Sequence, residues 1–161
     1  MTIDQTLRAV YEEMMWLAKR PGVSASLARS WYTHVRSGGL KLTRFSGKVS
    51  RAALDPKVTL RLEHYGRIQT GLTQLVERHK KRKRPNAAEF IRFLRAVERV
   101  HIVTFAENYA ALKAKGKYKA AGIELVAWKT LSIKQQERLW KMMLRGKVAN
   151  ALDYKPTGRK R

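Results

Sequence analysis

The stretch from Asp55 to Arg84 constrains the fold of this chain more than any other. Its apolar residues recur at steps of three and four, which places them on one face of an α-helix. They are Val58, Leu62, Tyr65, Ile68, Leu72, Leu75 and Val76. Asp55 is a good N-cap, Pro56 suits the first helical position, and Pro85 stops a helix. The sequence therefore predicts one long helix across this stretch.

The predicted helix ends in a basic run that a protein core cannot accommodate. The run contains His79 and six cations, which are Arg78, Lys80, Lys81, Arg82, Lys83 and Arg84. Burial of unpaired charges is strongly unfavourable, so we expect the whole run, including the histidine, to face outward. A polyanion is the partner that suits such a surface, and nucleic acid is the most common polyanion.

The composition supports the same interpretation. The chain has 161 residues, of which 44% are hydrophobic, which is enough for a sizeable core. Thirty-five lysines and arginines face twelve acidic residues, and the net charge of +23 raises self-repulsion in the folded state. The excess is spread along the chain rather than confined to a tail, so we expect the folded surface itself to be basic.

Composition also bounds the chemistry. The chain has no cysteine, which removes disulfides, thiolate zinc sites and thiol nucleophiles. The four histidines are not spaced as metal ligands, and the acidic residues do not cluster as a metal-dependent nuclease requires. His101 lies in an apolar stretch and is interpreted as a core histidine. We therefore predict no catalytic residue, no metal, no cofactor and no enzymatic activity.

No stretch of the chain predicts a membrane segment. Apolar runs are too short to span a bilayer, and Asp4 stands where a signal peptide would carry a cation. We expect a soluble, intracellular, cytoplasmic protein with no membrane partner.

The first forty residues predict two helices. Thr2 and Gln5 have capping-box spacing, so residues 3 to 19 should form a helix. Ser24 is a good N-cap for a second helix, which should stop at the glycine pair 38–39.

The residues between these helices match a tight helix-turn-helix. Ala18 and Ala28 are small enough for close packing, and Gly22 permits a positive φ in the turn. Trp31 is predicted to face inward. From Met14 to Tyr32 the pattern resembles the helix-turn-helix of bacterial and phage repressors, although the proline before the glycine departs from it.

This resemblance implies a DNA-reading helix. Bases in the major groove would be contacted from the exposed start of the second helix, by Ser26, Arg29 and Ser30. The alternative is that two packed helices joined by a Pro-Gly turn have no role in DNA binding.

Residues 37 to 54 predict either a wing or short hairpin along a phosphate backbone, or a surface loop whose Leu40, Leu42 and Phe45 pack into the core. Arg44, Lys48 and Arg51 recur every three or four residues, as backbone contacts would require. Phe45 and Tyr118 lie among cations and are candidates for base stacking. The four tryptophans lie on apolar faces and are predicted to pack in the core; they are Trp16, Trp31, Trp128 and Trp140.

The C-terminal half predicts mixed local structure. Residues 100–104 and 123–128 are β-branched or apolar and favour two strands, which would be parallel neighbours around a short helix. A single helix from 87 to 115 is the competing interpretation. The predicted fold is mainly α, a compact multi-helix domain with an N-terminal helix-turn-helix and a small two-strand element. Its parts are residues 1–84, residues 85–150 and a basic tail, 151–161.

The net positive charge, the helix-turn-helix pattern and the lack of a recognisable catalytic site together predict a non-enzymatic nucleic-acid-binding protein, a regulator or accessory factor. Duplex DNA is favoured by the helix-turn-helix spacing, and structured RNA is the first alternative because RNA binders read shape and stacked bases. The second alternative is an interaction or inhibitor protein that binds an acidic protein or a ribonucleoprotein. The sequence does not predict the oligomeric state.

Overall fold

The computed structural model describes residues 2–38, 40–82 and 84–157. The chain folds into two compact units, and each is built from separated stretches. The first unit comprises Met1–Lys41 and Arg67–Val97, and the second comprises Leu42–Gly66 and Glu98–Arg161. The boundary predicted between residues 84 and 85 lies within the first unit.

The first unit is made of four helices. They are α1 (Ile3–Ala18), α2 (Ala25–Ser37), α3 (Ile68–Lys81) and α4 (Ala87–Val97). The predicted capping box is confirmed, because the Thr2 hydroxyl accepts from the Gln5 N–H while the Gln5 side chain accepts from the Thr2 N–H. Fully buried side chains such as Tyr11, Leu72 and Phe90 form the core.

The predicted turn between α1 and α2 is confirmed in its local geometry. Ser24 accepts from the Leu27 N–H at 3.1 Å and caps α2, and Gly22 has a φ of +76°. The inward residue near the middle of α2 is Tyr32, which is 1% exposed, whereas Trp31 is exposed. The prediction for Trp31 was therefore wrong by one position, which is a rotation of about 100° on a helix.

The second unit is built on a four-stranded mixed sheet. Its elements are β1 (Arg44–Ser50), β2 (Leu60–His64), β3 (Arg99–Thr104), α5 (Phe105–Lys113), β4 (Leu125–Ala127) and α6 (Ile133–Leu139). The strand order is β2-β3-β1-β4, with β1 parallel to β3 and the other two pairs antiparallel. Phe45, Ile102, Trp128 and Leu139 belong to the core of this unit.

The prediction of a mainly α fold is wrong, because the chain is mixed α/β. The main cause is the stretch predicted as one long helix, which contains β2 and begins its helix only at Ile68. Asp55 does not cap that helix; its carboxylate accepts from the Lys57 N–H at 2.8 Å in a local turn. Leu60 and Leu62 pair with β3 instead, so tertiary pairing overrode the helical spacing.

Two strands lie where the C-terminal half predicted them, but their arrangement differs. The first predicted strand is β3, and the second is a shortened β4. They are not neighbours, because β1 lies between them and is antiparallel to β4. Strand β1 comes from the stretch predicted as a wing, short hairpin or loop, and it pairs with the distant strands β3 and β4 rather than within a local hairpin.

The end of the described chain is packed rather than free. A π-helical turn, Trp140–Leu144, follows α6, and residues Ala151–Tyr154 form a 3₁₀ turn. The Trp140 indole donates to the Ala151 carbonyl at 2.8 Å. Residues 158–161, the end of the predicted basic tail, lie outside the described residues. Among the helices of the described residues, none combines the length and apolar character needed to cross a bilayer.

Candidate nucleic-acid interface

The basic end of α3 is the first predicted anchor region. Arg78, His79, Lys80 and Lys81 occupy the last turn of the helix, where its carbonyl groups carry partial negative charge. Cations at this position therefore stabilise the helix as well as charging the surface. Lys83 lies outside the described residues.

Two of the predicted anchors share one carboxylate. Glu89 accepts from Arg78 Nη2 at 2.8 Å and from Arg82 Nη1 at 2.6 Å, and it lies 3.0 Å from His79 Nε2. Hydrogen bonds from Arg78, Arg82 and His79 lower the pKa of Glu89 to about 2. Arg78 and Arg82 are thus partly neutralised within the protein, and their side chains are held in fixed positions.

His79 does not face outward, so that prediction is wrong. It is 1% exposed, and its Nδ1 lies 2.6 Å from the Tyr11 hydroxyl. The same hydroxyl accepts from the Asn86 N–H at 2.9 Å, and burial raises the pKa of Tyr11. His79 Nε2 also lies 3.2 Å from Arg82 Nη1, so it is enclosed by an acidic and a basic side chain. Two of its neighbours, Tyr11 and Glu89, belong to other helices, and this is what allows a histidine to be buried within a basic run.

The remaining cations of this region lie beside the helix-turn-helix. Lys80 Nζ donates to the Val23 carbonyl at 3.0 Å, in the turn that precedes α2. Lys81 and Arg84 are exposed. Of the predicted phosphate anchors, Lys80 therefore lies beside the turn that precedes the predicted reading helix.

The predicted base-reading residues are partly occupied by contacts within α2. Arg29 Nη2 donates to the Ser26 hydroxyl at 3.4 Å, and Ser30 donates to the Leu27 carbonyl at 2.5 Å. Within the described part of the chain, the buried Nε of Arg29 has no hydrogen-bond partner. Ser26 is exposed, so the start of α2 remains accessible.

The predicted cations of β1 belong to the second unit and differ in their contacts. Arg51 makes a two-pronged ion pair with Glu124 at 2.8 and 2.7 Å, which raises the pKa of Arg51 and lowers that of Glu124. Arg44 lies 3.9 Å from Asp153, and Lys48 is exposed. Of the predicted cations Arg44, Lys48 and Arg51, Lys48 is therefore the one that the described contacts leave most accessible.

Phe45 cannot stack on a base, so that prediction is wrong. The ring is 2% exposed and packs edge-on against Trp128 and Tyr154 in the core of the second unit. Tyr118, the other stacking candidate, is half-buried and donates its hydroxyl proton to Glu63. The Tyr118 ring also meets the His101 ring at 66°, and base stacking by Tyr118 stays a prediction.

A polar cluster on the sheet was not predicted from the sequence. Glu63 and His101 are opposite each other on β2 and β3, and both are buried. The Ser46 hydroxyl lies 2.5 Å from His101 Nδ1, and the Tyr65 ring stacks on the imidazole with a centroid distance of 4.1 Å. The signal that could have located it is the alternation of polar and apolar residues along β2, which the helical interpretation concealed.

The environment of this cluster shifts the pKa values of two of its side chains. Burial, followed by the nearby charge of Lys48, lowers the pKa of His101 to about 4. Burial raises the pKa of Glu63, while His64 acts in the opposite direction. His101 is therefore neutral at pH 7 and is satisfied by Ser46 and the two tyrosine rings, as expected of a core histidine.

Residues that could hold a metal do not cluster in the described part of the chain. No group of three or more histidine and acidic side chains is arranged as ligands there.

Comparisons of this chain with models of protein families, with curated proteins and with solved structures gave no match.

Proposed function

We propose that this protein binds nucleic acid, preferentially duplex DNA, through phosphate contacts, as a regulator or accessory factor that does not cut or modify its ligand. In this proposal the protein acts in the cytoplasm, where nucleic acid is accessible to it. The observation that supports it is the Lys80 contact with the Val23 carbonyl, because this contact sets one cation of α3 beside the turn that precedes α2.

The charge distribution supports phosphates as the main source of binding energy. Lys80, Lys81 and Arg84 extend from the end of α3, and Ser26 lies at the exposed start of α2. In this proposal Arg78 and Arg82, held by Glu89, present the remaining donors of their guanidinium groups. Counterion release then makes affinity fall steeply with salt.

The test is a titration of the full chain against duplex DNA, single-stranded DNA and hairpin RNA at two salt concentrations. Replacing Lys80, Lys81 and Arg84 by alanine should weaken binding to all sequences at least about tenfold and reduce the salt slope by about 0.9 for each lost phosphate contact. Ser26→Ala should instead change sequence preference. The labelled nucleic acid should be intact after incubation.

The control is a variant with the same loss of charge elsewhere. Lys129, Lys134 and Lys141 are exposed in the second unit, and their replacement by alanine should affect binding less. Equal effects of the two triple variants would contradict the placement of the interface. Tighter binding of hairpin RNA would favour the RNA alternative, and no binding at low salt would favour an acidic protein partner.

A further inference from the structure

The first unit exposes an aromatic patch on α1 and α2 that the nucleic-acid proposal does not use. Trp16 is 61% exposed, Leu27 is 55% exposed and Trp31 is 36% exposed, although both tryptophans were predicted to be in the core. The two rings line a groove of about 500 Å³, together with Glu12, Glu13 and Leu17. Large exposed aromatic side chains grouped in this way mark an interaction surface.

Both rings are held in place before any partner arrives. The Trp31 indole donates to Glu13 Oε2 at 2.8 Å, and the Arg20 guanidinium lies 3.8 Å from the centre of the Trp16 ring. Trp31 also stacks on His34 at 5.7 Å between ring centres. A patch that is already ordered loses little side-chain freedom on binding.

The charges around the groove disfavour nucleic acid as its occupant. Glu12 and Glu13 are two of only twelve acidic residues in the chain, and both line the groove. A phosphate backbone laid along it would meet these carboxylates. The occupant is therefore a protein surface that is apolar at its centre and carries cations at its edge.

The sequence around Trp16 is itself such a surface, with two acidic residues on α1 and two cations directly after its last residue, Ala18. Glu12 and Glu13 lie four and three residues before Trp16, while Lys19 and Arg20 lie three and four residues after it. When two copies of the helix cross antiparallel at Trp16, Glu12 faces Arg20 of the second copy and Glu13 faces Lys19. A parallel pairing would instead place like charges opposite each other, which is unfavourable.

We propose that the occupant of this groove is a second copy of the chain, docked through α1 in an antiparallel two-fold arrangement centred on Trp16. The same patch is used by both copies, as a two-fold interface requires. Trp16 and Trp31 supply the buried centre, and the four charges that flank Trp16 in each copy supply the rim. This proposal does not depend on nucleic-acid binding and is tested without any.

The first test is sedimentation equilibrium of the full chain in about 0.3 M salt, which screens the repulsion between distant positive charges. The wild type should form dimers in a concentration-dependent manner. Trp16→Ser should weaken dimerisation at least about tenfold, as expected for a central aromatic residue. Tyr109→Ser is the matched control, because Tyr109 is 57% exposed on α5 and should leave dimerisation unchanged.

The second test exchanges charges across the two-fold axis. Glu12→Arg and Arg20→Glu should each weaken dimerisation, and the double variant, which has the net charge of the wild type, should restore it. Glu77→Arg and Arg92→Glu make the same charge changes at exposed positions and control for net charge. A wild type that stays monomeric, a Trp16→Ser dimer of unchanged strength, or a double variant that fails to recover would each overturn the proposal.

Discussion

Two buried histidines differ in how they are accommodated. His79 has the Tyr11 hydroxyl at Nδ1, and its Nε2 lies close to both the Glu89 carboxylate and the Arg82 guanidinium. His101 has Ser46 at one nitrogen and the ring of Tyr65 on one face, while the positive charge of Lys48 lies nearby. Protonation of the second histidine is therefore opposed, and this opposition makes stability depend on pH.

We predict that His101 destabilises the fold in mild acid. Its pKa is about 4 in the folded chain and 6.5 at its ordinary value, so the unfolded chain takes up the proton first as the pH falls. The stabilising effect of the neutral imidazole is complete above pH 6.5. As the pH falls towards 4, the free energy of unfolding decreases by roughly 3 kcal/mol. Urea unfolding across this range measures the loss.

The matched comparison is His101→Gln, which should be less stable at pH 7 but lose less stability in acid. Glu63 acts with the opposite sign, because its raised pKa gives stability that is present in acid and lost as the pH rises through the folded pKa. Because Glu63 is present in both proteins, the difference between their pH profiles of stability reports the effect of His101. Parallel pH profiles of the two proteins would contradict the prediction.

Glu89 gives a second prediction in a lower pH window. Its pKa falls from an ordinary 4.5 to about 2, so its stabilising effect is present above pH 4.5 and is lost as the pH falls towards 2. Glu89→Gln should reduce the free energy of unfolding at pH 7 by about 1–2 kcal/mol, because Arg78 and Arg82 lose their charged acceptor. Glu77→Gln, at an exposed position of α3, should change it little.

At the scale of single elements, the first residues of α2 and α5 are fixed by hydrogen bonds to nearby side chains. Ser24 satisfies the Leu27 N–H three residues later, and Thr104 and Glu107 cap α5 reciprocally. Such partners lie within one turn, so sequence alone identifies them. The β2 segment shows the opposite case, since its strand state depends on β3, which is distant in sequence.

We predict that Ser24→Ala lowers the free energy of unfolding by about 1 kcal/mol, because the first turn of α2 loses its side-chain acceptor. The measurement is the urea midpoint of the full chain. Ser26→Ala is the matched control, since Ser26 lies two residues further along, within the first turn of α2, and does not cap the helix. Equal midpoints for the two variants would show that the cap contributes nothing.

At the scale of the whole molecule, the net charge of +23 outweighs the ion pairs within each unit. Glu89, Glu124 and Asp4 each pair with arginine, yet most cations have no acidic partner available because acids are so few. The folded chain therefore carries considerable self-repulsion, which salt or a bound polyanion relieves.

We predict that the melting temperature rises with added sodium chloride, because screening reduces this repulsion. Calorimetry between low salt and about 0.3 M salt measures the rise. The variant with Lys129, Lys134 and Lys141 replaced by alanine carries three fewer charges and should show a smaller rise. A melting temperature that falls with salt would mean that ion pairs dominate the electrostatics of the fold.

The sequence by itself determined the helix caps at Thr2 and Ser24, the turn at Gly22, the basic surface and two of the four strands of the described sheet, because these depend on near neighbours or on composition. Tertiary structure decided that Leu60–His64 is a strand, that His79 is buried, and that Trp16 and Trp31 face outward. It also assembled the polar cluster, in which Glu63 and Tyr118 are 55 residues apart. Sheet pairing and burial join residues that no local window contains, and so periodicity alone could not reveal them.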